Sequence, residues 1–150
     1  MTRLPYQILV YLCRRPTPAT TEYLLLQRTA ARGGFWQGVS GGVEVGESLE
    51  QAARREVREE TGYQRFIRFQ PLDYRYRYPL DRPTWGHLYA PEVEMIDEEC
   101  FVAEVDLDQG EPVMDANEHD QYRWLDVQQA LPLLVWPENQ AALRRCADAL

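Results

Sequence analysis

Between Gly46 and Gly62 the chain can form little other than a helix, and that helix gathers glutamates on one face. Ser48 stands where an N-cap belongs, and Gln51, three residues on, completes a capping box. Ala52, Ala53, Arg54, Arg55, Glu56, Glu59 and Glu60 are mostly good helix formers, and Gly62 sits where a C-terminal glycine cap belongs. The reading is a helix over Ser48–Thr61. Glu56, Glu59 and Glu60 then fall within an arc of roughly 100°, with Ala52, Ala53 and Val57 flanking it and Arg54 and Arg58 opposite. Like charges at i,i+3 and i,i+4 each weaken a helix by roughly 0.2–0.5 kcal/mol, and glutamates late in a helix oppose its dipole. A merely solvated acidic face would carry the same glutamates. Two features argue against it. The acidic arc overlaps the small-residue stripe that should face the protein, and a glycine-bearing loop, Gly41–Gly46, leads into the helix with Glu47 at its mouth. Hard oxygen ligands converging in this way suit Mg²⁺ or Mn²⁺, which keep several waters and bridge to phosphates.

Around the helix the chain is rich in strands. Tyr6–Arg14 is β-rich and largely apolar, as a central strand would be, and Glu22–Arg28 can pair with it as a hairpin. Arg15–Thr21, with two prolines, reads as the loop between them. Phe35–Val39 offers a short strand after the break at Gly33–Gly34. Within Arg65–Tyr78 the end alternates, with Tyr74, Tyr76 and Tyr78 on one face and Arg75 and Arg77 on the other. Trp85–Pro91, Cys100–Leu107 and Gln121–Leu125 are further strand candidates, and Val127–Val135 and Glu138–Leu150 read as helices separated by Pro137. Many strands with one early helix and late helices predict a mixed sheet covered by helices, an α/β chain of one domain over residues 1–150.

The run Gly41–Tyr63, GGVEVGESLEQAARREVREETGY, resembles the Nudix box, G-x5-E-x7-R-E-U-x-E-E-x-G-U, where U is bulky and aliphatic. Gly41, Glu47, Arg55, Glu56, Val57, Glu59, Glu60 and Gly62 fall in register, and only Tyr63 departs from the pattern. The resemblance implies an α/β/α sandwich with a mixed β-sheet and a loop–helix–loop catalytic motif. It also implies roles. Glu56 and Glu60 would ligate the metal, Glu59 would share ligation or position a water, and the backbone carbonyl of Ser40 would add a ligand. Arg55 would orient Glu47 or a neighbouring carboxylate by a charge-assisted hydrogen bond. Outside the box, FWQGVSGGVEVGES, YAPEVE, NEHDQYRWLD and VWPENQAAL are similar to segments of the bacterial dihydroneopterin triphosphate pyrophosphatases and dATP pyrophosphohydrolases.

That resemblance agrees with the charge of the chain. The formal net charge is −8 with a pI near 4.8, which argues against a nucleic-acid polymer or an anionic membrane as partner. A polyanionic substrate then needs a cation to enter, and Mg²⁺ or Mn²⁺ on the carboxylate helix would supply it. Cys13, Cys100 and Cys146 are odd in number and include no C-x-x-C pair, so they read as buried free thiols of a reducing cytoplasm. No run approaches the roughly 20 apolar residues of a membrane span. Monomer and homodimer both remain open.

Beyond the box the candidates have competing readings. Glu118, in a polar loop, is either a fourth carboxylate serving as ligand or base, or an exposed loop acid. His119 is either a general base or an imidazole hydrogen-bonded to backbone. Trp36, Tyr74, Tyr76, Trp85 and Trp136 could stack on a flat ring or pack the protein. Arg28, Arg75 and Arg77 could hold phosphates, or the two strand arginines Arg75 and Arg77 could form a solvated face, and Asn139 could read a ring edge or cap a helix. The expected reaction is hydrolysis of a nucleoside or pterin triphosphate to monophosphate and pyrophosphate. The alternatives are another diphosphate, such as a dinucleoside polyphosphate or nucleotide sugar, or a non-catalytic ligand sensor. A sensor need not keep the metal carboxylates, and this chain has them all.

Overall fold

The computed structural model describes residues 3–150; Met1 and Thr2 of the expected 1–150 domain lie outside the described residues. The chain forms β1 (Arg3–Thr17), β2 (Thr20–Arg28), β3 (Trp36–Gln37), β4 (Val39–Glu44), α1 (Leu49–Thr61), β5 (Phe66–Pro79), α2 (Arg82–Trp85), β6 (Met95–Val105), β7 (His119–Leu125), α3 (Val127–Ala130) and α4 (Pro137–Ala149). Its strands make one mixed seven-stranded sheet. β1 is the axis of that sheet. On one edge it pairs in parallel with β6, from Tyr6↔Asp97 to Cys13↔Glu104, and β6 pairs antiparallel with β5. Its other edge is shared: the first half pairs with β4 and the second half with β2. Farther along, β2 pairs with both β3 and β7.

Alternation along these strands divides the apolar residues between two cores. Ile8, Val10, Leu12, Leu24, Leu26, Phe101 and Ala103 share one core with Ala52, Ala53 and Val57 of α1. Leu9, Tyr11, Cys13, Tyr23, Leu25, Cys100 and Val102 face the other way, against Ala130, Leu134, Ala142, Leu143 and Cys146 of the C-terminal segment. The result is the expected α/β/α sandwich, and its cysteines are free and buried. Burial pushes the Cys13 thiol up to about 12 and Cys146 well above the ordinary thiol value.

Several segments differ from expectation. Arg15–Thr21 is mostly strand, because β1 runs on to Thr17 and β2 begins at Thr20. Pro16 is tolerated there because pairing with β6 stops at Cys13, so on that side no neighbour needs its N–H. The glycines Gly41 and Gly42 are strand rather than loop, paired with Ile8 and Gln7. Trp85–Pro91 is not a strand. Thr84 and Trp85 fold back on Asp81 through its side chain and carbonyl, and Pro83 lies within the first helical turn, where a missing N–H is harmless. Val127–Val135 is α3 followed by a tighter turn over Leu131–Leu133, since Pro132 has no N–H with which to extend the α-helix.

Candidate active site

The helix α1 ends as the sequence predicts. Ser48 and Gln51 form a capping box with bonds of 2.8 and 3.1 Å, and Gly62 closes the helix in the left-handed conformation, at φ 81°. With both ends held, the buried stripe Ala52, Ala53 and Val57 fixes the rotation of the helix against the sheet. That rotation carries Glu56 and Glu60 inward, to 9% and 2% exposure. Glu59, one step round, remains exposed.

Arg55 organises the carboxylates. Its Nε and Nη2 donate to both oxygens of Glu47 at 2.7 and 3.0 Å, and its Nη1 to Glu56 at 2.8 Å and Glu59 at 3.2 Å. Nη2 also donates to the carbonyl of Gly42 at 2.9 Å. Glu47 in turn accepts from the Glu44 amide at 3.0 Å, which ties down the loop between β4 and α1. The Arg55 guanidinium holds the Glu47 carboxyl below its usual range, and Glu47 raises the guanidinium further still. Gly41 is needed for a steric reason. A Cβ there would meet the Glu56 carboxylate, so any larger residue would displace that acid from its place against β4.

A second group meets Glu60. His119 Nε2 is 3.8 Å from Glu60 Oε1 and 3.4 Å from Gln37 Nε2, and donor atoms of Glu60, Glu118 and His119 lie within 4.8 Å of one another. Gln37 as donor makes Nε2 the acceptor, and His119 Nδ1 has no partner among the described residues. Burial, then Arg28 and Arg32, push the His119 imidazole down to about 4, so it is neutral at neutral pH. Burial and the neighbouring Glu56 carboxyl hold Glu60 well above the usual carboxylate range, and burial raises Glu56 as well. Two buried acids that resist joint ionisation beside a neutral imidazole are a donor set short of positive charge. A hard divalent cation fits it.

A cleft of about 880 Å³ opens beside these groups, with Glu60 and His119 buried behind its lining. Ser40, Glu56, Glu59 and Glu118 line it, as do Arg28, Tyr76 and Asn139. Arg28 Nε makes no hydrogen bond among the described residues. Glu118 is half-buried and lies 3.6 Å from Arg32. Trp36 is not part of the lining. Its ring packs against the core that the C-terminal segment covers, with the Arg123 guanidinium 5.0 Å away, and its neighbour Phe35 lines the cleft in its place. Phe35 stands edge-on to Trp136 at 4.6 Å, and both belong to the apolar wall. Arg75 and Arg77 also lie elsewhere, exposed and paired with Glu99 and Asp97. Sequence reasoning missed Phe35 and Glu98; the latter is 6% exposed and lines the cleft.

The family model of the NUDIX domain matches residues 5–146. The chain belongs to the Nudix family. As a Nudix hydrolase it acts on phosphoric anhydrides, and the family generally uses a divalent metal. It is 32% identical over 150 residues to the dihydroneopterin triphosphate diphosphatase of Escherichia coli K12, an alignment covering 91% of this Nudix chain and 89% of that one. The solved structure of the E. coli dihydroneopterin triphosphate pyrophosphohydrolase superposes with a TM-score of 0.77 at 28% identity, covering 100% and 99% of the two chains. The chain is also 37% identical over 122 residues to a Myxococcus xanthus protein named octanoyltransferase; the match covers 81% of this chain but spans only 31% of that protein's length.

Proposed function

We propose that this Nudix hydrolase is a Mg²⁺-dependent pyrophosphohydrolase of a nucleoside or pterin triphosphate, cleaving between the α and β phosphates to release pyrophosphate. The observation that carries the reading is that one cleft takes in both the carboxylate centre and a wall of aromatic side chains. Similarity across nearly the whole chain to a dihydroneopterin triphosphate diphosphatase supports the same substrate class.

Glu56 and Glu60 are assigned as metal ligands, with Glu118 or His119 completing the set and with Glu59 and the Ser40 carbonyl at its rim. When bound, the cation supplies charge neutralisation on the phosphates and lowers the pKa of a coordinated water. The chain's own groups do the rest. Arg55 holds Glu47 and Glu56 in fixed geometry, so the ligands need no reordering. Arg28 and Arg32 line the cleft as donors for phosphate oxygens, Arg28 with a free Nε among the described residues. Glu118 and Glu59 are the carboxylates assigned to take a proton from an attacking water. Tyr76, Phe35 and Trp136 enclose the ring.

The test is kcat/KM with Mg²⁺ for dihydroneopterin triphosphate, dATP, a diadenosine polyphosphate and ADP-ribose, with pyrophosphate scored against orthophosphate. A triphosphate should lead and release pyrophosphate. Preference for either of the last two by more than about tenfold, roughly 1.4 kcal/mol of transition-state discrimination, replaces this reading with another diphosphate hydrolase.

A further inference from the structure

Glu98 of β6 is an acid without a cation. It is 6% exposed, it lines the cleft, and no arginine among the described residues forms an ion pair with it. Such a group is costly to bury and needs a partner. Strand alternation explains how it comes to face inward. Asp97 and Glu99 pair with the exposed Arg77 and Arg75, which turns Glu98 to the opposite side of β6. There Tyr76, its neighbour across the β5–β6 ladder, donates its hydroxyl to Glu98 Oε2. Glu98 Oε1 takes no hydrogen bond from the described residues. The same Tyr76 hydroxyl lies 3.1 Å from Asn139 Oδ1, so its single proton serves one of two acceptors at a time, and Asn139 also lines the cleft. Asn139 is itself held in place, because the buried Tyr11 hydroxyl donates to its backbone carbonyl at 2.8 Å.

The position suits a ring rather than a phosphate. Glu98 pairs with Gln7 of β1, and Gln7 pairs with Gly42 of β4. Two strand spacings, about 10 Å, therefore separate Glu98 from the strand against which Arg55 and Glu56 pack. That is the span of a nucleoside from ring edge to first phosphate. No arginine among the described residues pairs with Glu98 to hold a phosphate there, while Phe35 and Trp136 supply apolar wall.

We infer that Glu98, with Asn139 beside it and Tyr76 orienting both, reads the edge of a 2-amino-4-oxopyrimidine ring, the edge shared by guanine and pterins. That edge presents a ring N–H and an adjacent exocyclic amine, two parallel donors that match the acceptors of a carboxylate, and an oxo group that the Asn139 amide can donate to. Adenine presents one donor beside a ring acceptor, which leaves a carboxylate oxygen facing a lone pair. Burial, then Glu138, push the Glu98 carboxyl up to about 8. Two N–H donors from a ligand would stabilise its ionised form. This inference rests on the proposed triphosphate activity and adds the ring that the activity selects.

Glu98→Gln tests it, because an amide offers one acceptor and one donor in the same volume. The assay is pyrophosphate release from dihydroneopterin triphosphate, GTP, ITP and dATP by the Mg²⁺-loaded wild type and variant. The wild type should prefer dihydroneopterin triphosphate or GTP to dATP, and which of the two leads identifies the source of the ring. In the variant, kcat/KM for that leading substrate should fall by about 100-fold, and its preference over dATP should shrink by at least about tenfold. A variant with an unchanged preference overturns the inference. ITP, which lacks the exocyclic amine, probes the same contact without touching the protein, so the test survives if Glu98→Gln does not fold. ITP should be at least about tenfold poorer than GTP, and equal turnover overturns the inference. A wild type that releases pyrophosphate from none of the four overturns the triphosphate reading itself, a result distinct from the others.

Discussion

Replacing Glu60 with glutamine should make the metal-free protein more stable and the enzyme nearly inactive. Glu60 is 2% exposed and shares its pocket with the Glu56 carboxyl, while Arg55 donates to Glu56. Two carboxylates about 4 Å apart repel by roughly 4 kcal/mol at an effective dielectric near 20. Proton uptake and Arg55 already relieve part of that, so the neutral isostere should recover about 1–2 kcal/mol, a Tm rise of roughly 2–8 °C for a chain of this size. The pH dependence has a definite sign. Burial and Glu56 raise the folded-state pKa of Glu60 above its unfolded value. Its contribution to stability is therefore full below about pH 4.3 and is lost as pH rises through the folded pKa. The gain from Glu60→Gln should be small at about pH 5 and largest at about pH 8. Thermal unfolding of both proteins in EDTA at the two pH values measures it. Mg²⁺ should then raise the Tm of the wild type more than that of the variant. The variant's kcat should fall by at least about 100-fold, since ligation and water activation weaken together. A variant that is less stable than the wild type in EDTA at the higher pH, or that keeps the wild-type pH slope, refutes the argument that the two acids are held in repulsion.

Chelation should abolish activity, and Mg²⁺ or Mn²⁺ should restore it where Zn²⁺ alone does not, because carboxylates dominate the donor set and no cysteine joins it; full turnover in EDTA refutes this. Arg55→Lys keeps the charge but loses the fork that grips both Glu47 oxygens, Glu56 and the Gly42 carbonyl at once. Metal affinity and kcat should fall by about 10–100-fold, measured by Mg²⁺ titration of activity, and an unchanged titration shows that Arg55 does not order the ligands.

The carboxylate helix was legible in the chain because its signals are local. A cap, a C-terminal glycine and a small-residue stripe act over three or four residues, so Ser48, Gln51, Ala52, Ala53, Val57 and Gly62 settle which way Glu56 and Glu60 point. The two-sided core was legible for a similar reason, since alternation within each strand divides apolar residues between two faces. Alternation does not say what covers each face or where the covering ends. Trp36 and Phe35 are adjacent aromatics, and only the packing around the C-terminal segment and the approach of Arg123 decide that Phe35 lines the cleft while Trp36 does not. Glu98 reads in the chain as one acid in the run Asp97–Glu99. It becomes a buried group facing the cleft because β6 pairs with β1 and β5, which brings Gln7 and Tyr76 alongside it, and because α4 delivers Asn139 to the same Tyr76 hydroxyl. Those neighbours come from distant parts of the chain, and no local periodicity encodes which strands and helices will meet.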